Sequence, residues 1–118
     1  MDALRYAAAE EANWKRNLQA MTSYTPQTTF FADFSIAEFC GRENAVRETY
    51  SRALNAWKKD IKYMTELCLV LNHKIWEWNA RKDNVMTYCY NQLWEICSDY
   101  IEDHFKGDEL RYYYQVTD

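Results

Sequence analysis

Glycine and proline are nearly missing from this chain of 118 residues, which has two of the first and one of the second. Tight turns draw on those two residue types, and a sheet protein needs many of them. The scarcity therefore points to a few long helices joined by short links. No stretch reaches the roughly 18 apolar residues of a membrane-spanning helix. A basic surplus is lacking too: the formal net charge is −4, which argues against direct binding of nucleic acid. The opening MDALRYAAAEEANWKR has acids where a signal peptide has a basic start and an apolar run, so a cytoplasmic location is expected. No GxSxG, P-loop, GxGxxG or HExxH occurs, and two glycines could hardly build a phosphate-cradling loop. Neither an enzyme nor a cofactor is expected.

What is present is apolar and aromatic. Apolar residues make up 48% of the chain and charged residues 27%, the balance of a globular domain able to bury one core without staples. The four cysteines, Cys40, Cys68, Cys89 and Cys97, lie within apolar helical patterns. They read as reduced thiols that pack like small hydrophobes.

The apolar spacing divides the chain into an N-terminal helix over 1–21, a loop over 22–34 and a helical core over 35–118. Ser35 and Glu38 fit a capping box that would start a short helix ended by Gly41. Phe30, Phe31, Phe34 and Phe39 would plug the end of the bundle. A helix from Glu43 shows Val46, Tyr50, Ala53, Leu54 and Trp57 on one face. If it ran on to Arg81 it would be about 60 Å long, so a break near Lys59–Asp60 is expected, with Asp60 capping the next helix. The last long helix covers roughly Asp83 to Phe105, with Val85, Cys89, Leu93, Ile96 and Tyr100 as its inner stripe. Gly107 ends it, and Asp108 caps a final turn. The fold class is all-α: a four-helix bundle-like single domain with short capping helices.

TELCLVLNHKIWEW, residues 65–78, is the densest apolar stretch. At 100° per residue, Met64, Leu67, Cys68, Leu71, Ile75 and Trp78 gather on one face, and Lys62, Glu66, His73 and Glu77 form a narrow polar strip opposite. His73 then reads as a semi-exposed residue paired with Glu77. The sharper alternative is a polar site built from Glu66, His73 and Glu77. Helical di-metal bundles display Glu-x-x-His pairs; this segment has none, so no metal is expected. Cys97 and His104 share a face two turns apart, and without a CxxC they read as packing rather than zinc ligands.

Ten tyrosines, five tryptophans and five phenylalanines exceed what one stripe per helix can bury. Tyr112, Tyr113 and Tyr114 are consecutive, so no helix or strand can bury all three on one face. Trp76 and Tyr63 point off the main stripe. Exposed Tyr and Trp offer large contact area at low entropy cost, so these five are the candidate partner-binding residues. The expected partner is a protein, and self-association to a homo-oligomer stays open.

TFFADFSIAEFCG (29–41), YMTELCLVLNHKIWEW (63–78), YNQLWE (90–95) and KGDELRYYYQVTD (106–118) resemble a family of small uncharacterised proteins of gut bacteria, their phages and mobile elements. The resemblance implies no catalytic residue. It does imply a mobile-element setting, where short acidic helical proteins block larger machines. The function expected is a non-catalytic binding protein that inhibits a host complex, such as a defence nuclease, by occlusion. A small-ligand or nucleotide sponge is the alternative, and a metal or thiol enzyme the third.

Overall fold

The computed structural model describes residues 30–117; the helix expected over 1–21 and the loop residues 22–29 lie outside them. Four helices make up the described part: α1, Phe30–Trp57; α2, Ile61–Ala80; α3, Asn84–His104; and α4, Asp108–Thr117. No strand occurs among the described residues. The fold is all-α and four-helix bundle-like. α2 and α3 pair as the central hairpin, α1 packs on both, and α4 packs on α2.

α2 begins where the carboxylate of Asp60 accepts from the free amides of Lys62 and Tyr63, at 3.0 and 3.2 Å. That is an N-cap at the break expected there. Its other end is a Schellman turn. The Asp83 amide donates to the Trp78 carbonyl at 3.2 Å and the Lys82 amide to Asn79 at 3.0 Å. The residue that must turn left-handed is Lys82, at φ 61°, a place where glycine costs least. Asp83 then caps α3 by accepting from the Met86 amide at 3.1 Å. Gly107, at φ 64°, starts α4, and its carbonyl takes the Arg111 amide at 3.0 Å.

α1 departs from the sequence reading. Residues 30–34, expected as loop, form its first turn, because Phe30, Phe31 and Phe34 fall on one helical face and are all buried. Ser35 and Glu38 do not form a capping box. They lie inside the helix, and their three-residue spacing presents both side chains to α2 instead. Helix geometry breaks at Gly41 (φ −152°, ψ 15°) and Arg42 (φ 53°, ψ −135°), so the left-handed φ expected of Gly41 falls on Arg42. Gly41 is needed for closeness: a Cβ there would sit 2.9 Å from the Cβ of Ala45. The strained Arg42 is tied down, its guanidinium 2.8 Å from the Asp83 carboxylate. That hydrogen bond holds Asp83 below its ordinary carboxylate range.

Four further side chains turn outward against expectation. Phe39 is 77% exposed rather than plugging the bundle, and Val85 and Ile96 are 55% and 51% exposed. The inner face of α3 is carried by Met86, Cys89, Tyr90, Leu93, Cys97 and Ile101. Trp57, also expected inside, lies at the surface and stacks on Tyr63 with ring centres 4.1 Å apart.

Candidate functional site

Two polar centres flank α2, and they differ in kind. The first is charged and closed. Lys74 is fully buried. Its ammonium donates to Ser35 Oγ at 2.7 Å and lies 3.2 Å from Glu38 Oε2 and 3.6 Å from Glu77 Oε1. It also sits 4.2 Å above the Phe31 ring. Glu38 in turn accepts from Trp78 Nε1 at 2.8 Å and from the Tyr90 hydroxyl. Burial, followed by the Glu38 charge, pushes the Tyr90 phenol well above its ordinary range, so it keeps its proton and stays a donor. Arg81 completes the balance, 3.2 Å from Glu77 and stacked over Trp78 at 4.7 Å. Each carboxylate of this centre thus has a cation, and the buried cation has three oxygens.

Such a centre holds elements together. The arm of α1 before the Gly41–Arg42 break carries Ser35 and Glu38, α2 carries Lys74, Glu77 and Trp78, and α3 carries Tyr90. Removing one partner strands a charge in the interior, at a cost of about 3–5 kcal/mol. The arm is therefore clamped in one register.

The second centre is neutral and open. Cys68 Sγ meets the Tyr113 hydroxyl at 3.5 Å, and that hydroxyl meets Ser98 Oγ at 3.0 Å. Cys97 donates to the Met64 carbonyl at 4.0 Å, the carbonyl one turn before Cys68. Hydrogen bonding with the Cys97 thiol holds Cys68 below, and Cys97 above, the ordinary thiol value. Burial pushes the Tyr113 phenol up, with the Cys68 thiol adding to it. Above this floor a cavity of about 240 Å³ opens between α2, α3 and α4, walled by Leu69, Asn72, Trp94, Glu102 and Tyr114.

The candidate residues fall unequally on this frame. Trp76 is 71% exposed, one turn beyond Asn72 on the same helix. Tyr114 is exposed, and its hydroxyl donates to Glu102 at 3.1 Å. Tyr113 is not a surface residue: at 4% exposure it forms the floor. Tyr112 is half-buried, as is Tyr63. The three consecutive tyrosines thus divide, Tyr113 at the floor, Tyr114 at the rim and Tyr112 outside the groove, as 100° per residue requires.

His73 is half-exposed, 4.0 Å from Glu77 and 5.1 Å, ring to ring, from Phe31. Glu66 is buried rather than on a solvated strip, because α2 packs against α1, α3 and α4 rather than one neighbour. It lies two turns before His73, about 10 Å along the axis, so the two do not converge. No group of three or more metal-ligating side chains comes together among the described residues. His104 is exposed and stacked on Tyr100, away from the buried Cys97.

Lys74, Glu38, Ser35 and Tyr90 were not candidates in the sequence reading, yet their positions carry a signal. Leu67, Leu71, Lys74 and Trp78 have the four- and three-residue spacing of one buried stripe. Phe31, Phe34, Ser35 and Glu38 have the same kind of spacing. A charged residue on each of two stripes is the mark of a buried pair.

No protein-family model, curated protein or solved structure matches this chain.

Proposed function

We propose that this chain is a protein-binding module that acts by occlusion, taking a partner segment into the groove between α2, α3 and α4 with Trp76 at its edge. The observation that carries this reading is a concave surface offering an amide (Asn72), a carboxylate (Glu102) and aromatic walls (Trp94, Tyr114), with the 71% exposed Trp76 one helical turn beyond Asn72. Indole and phenol groups ringed by polar atoms are the usual energetic centres of protein interfaces. The groove's charged wall residue is acidic, so the fitting segment presents an apolar side chain with a basic residue beside it. The Lys74 clamp supports the reading as well, since a rigid platform loses little entropy on binding. The sequence resemblance suggests a phage or mobile-element factor that inhibits a host defence complex.

A partner captured from the host and titrated against purified protein tests this. Trp76→Ala and Tyr114→Ala are each expected to weaken binding at least about tenfold, roughly 1.4 kcal/mol. Affinity unchanged by both substitutions contradicts the reading. The thiol and two hydroxyls on the groove floor favour one second reading, a small polar ligand held there. Native mass spectrometry separates the two, because a retained small molecule that Trp76→Ala leaves in place supports the ligand.

A further inference from the structure

Two of the buried cysteines form a pair. Cys68 on α2 and Cys97 on α3 are 1% and 0% exposed, and their thiols are hydrogen-bonded to each other. The backbone places them together as well. Cys97 Sγ lies 4.0 Å from the Met64 carbonyl, and in an α-helix that carbonyl is the acceptor for the Cys68 amide. Neighbouring thiols on two packed helices are the arrangement from which a disulfide closes.

Only one of the two sulfurs walls the cavity between α2, α3 and α4: Cys68 lines it, and Cys97 does not. Asn72, Ser98 and Tyr113 line it too, so a small polar molecule finds hydrogen-bond partners there. Its volume of about 240 Å³ takes several molecules the size of water. It falls below the roughly 300–1,000 Å³ of pockets that hold larger ligands. Hydrogen peroxide fits this space and a glutathione disulfide does not. Cys89 is the internal contrast. It is 1% exposed, as Cys68 is, but its thiol meets the Glu43 carbonyl at 3.9 Å and it does not wall this cavity.

We propose that Cys68 and Cys97 are a peroxide-reactive pair, in which Cys68 is oxidised from the cavity and Cys97 closes on it to form a disulfide. In the first step the Cys68 sulfur attacks one peroxide oxygen and the O–O bond breaks. Cys68 becomes a sulfenic acid, and the departing hydroxide takes the thiol proton as water. In the second, the Cys97 sulfur attacks Cys68 Sγ and the S–O bond breaks. The second hydroxide leaves with the Cys97 proton, again as water. Two thiols are oxidised and one peroxide is reduced. Sulfurs in hydrogen-bond contact must close to about 2.05 Å, which draws Cys68 Sγ off the Tyr113 hydroxyl that it meets at 3.5 Å. The chemistry needs only the two sulfurs and the open path, whatever else the groove accepts.

Peroxide treatment of the full chain carrying Cys40→Ser, which removes the exposed thiol, tests the pair by mass spectrometry of unreduced digests. A peptide pair joined through residues 68 and 97 is expected, formed at least about tenfold faster than any oxidation of Cys89. Cys97→Ser should stop at the Cys68 sulfenic acid, captured by dimedone. Cys68→Ser should leave Cys97 unlabelled. Should either serine variant lose its helical circular dichroism, dimedone present during the reaction of the intact pair must label Cys68 before the link appears. Absence of the 68–97 link overturns the proposal. So does dimedone on Cys97 when Cys68 is serine, oxidation of Cys89 at the same rate, or faster linking by glutathione disulfide than by peroxide.

Discussion

The Lys74 centre and the Cys68 centre lie about two turns apart on the same helix and solve the burial of polar groups in opposite ways. At Lys74 full charges are enclosed, so each must find a counter-charge inside, and the solution tolerates little change. At Cys68 the groups are thiols and hydroxyls, which lose far less on partial dehydration. That centre can open to a groove without stranding a charge. One face of α2 thus fixes the fold, and another offers a surface.

Raising the pH attacks both centres and is expected to have the largest effect. Tyr50, Tyr90 and Tyr113 are held in their protonated form, chiefly by burial. A group whose folded pKa is raised stabilises the fold below its unfolded value, here 10.0, and loses that contribution as the pH climbs toward the folded one. Each fully buried phenol loses up to about 1.4 kcal/mol per pH unit. Cooperative unfolding above pH 10 is expected, with tyrosinate absorbance and loss of helix coinciding. Gradual ionisation of all the tyrosines with the helix intact would contradict their burial.

Substitution separates the centres. Lys74→Ala leaves Glu38 without its ammonium and should cost about 3–5 kcal/mol in urea unfolding. Cys68→Ala removes one sulfur at the groove floor and should cost no more than about 2 kcal/mol. Equal losses would erase the distinction. Lys82→Gly relieves a left-handed lysine in the turn between α2 and α3, and a gain of about 1 kcal/mol is expected. The smallest effect lies at acid pH. Asp83 is held below its ordinary 3.8 by Arg42, so its contribution is complete above that value and fades as the pH falls below it. Asp83→Asn should flatten that acid limb of the stability curve.

The helical frame was legible because its signals are local. Asp60 and Asp83 cap where a polar residue precedes an apolar period, and Gly107 turns where glycine is cheapest. The chain that feeds α1 was misread at 30–34 because a capping box and a buried helical pair share one spacing. The pairing of Ser35 and Glu38 with Lys74 spans nearly forty residues, and no local rule distinguishes them. Val85 and Ile96 were misassigned because apolar spacing along α3 fits two stripes, and packing buries the one formed by Met86, Cys89, Leu93 and Cys97. Tyr113 and Tyr114 show what periodicity does give, since three tyrosines in a row had to divide between inside and outside. Which one faced the core depended on where α4 docks.

The claim on which the rest stands is that Lys74 carries its charge inside the protein, held by Glu38 and Ser35. Direct NMR observation of lysine ammonium groups near neutral pH and 25 °C tests it. One protected Nζ–H₃⁺ signal is predicted, persisting where solvated lysines exchange away, absent in Lys74→Met and displaced in Glu38→Gln. A spectrum with no protected ammonium would contradict the clamp and the rigid surface built upon it.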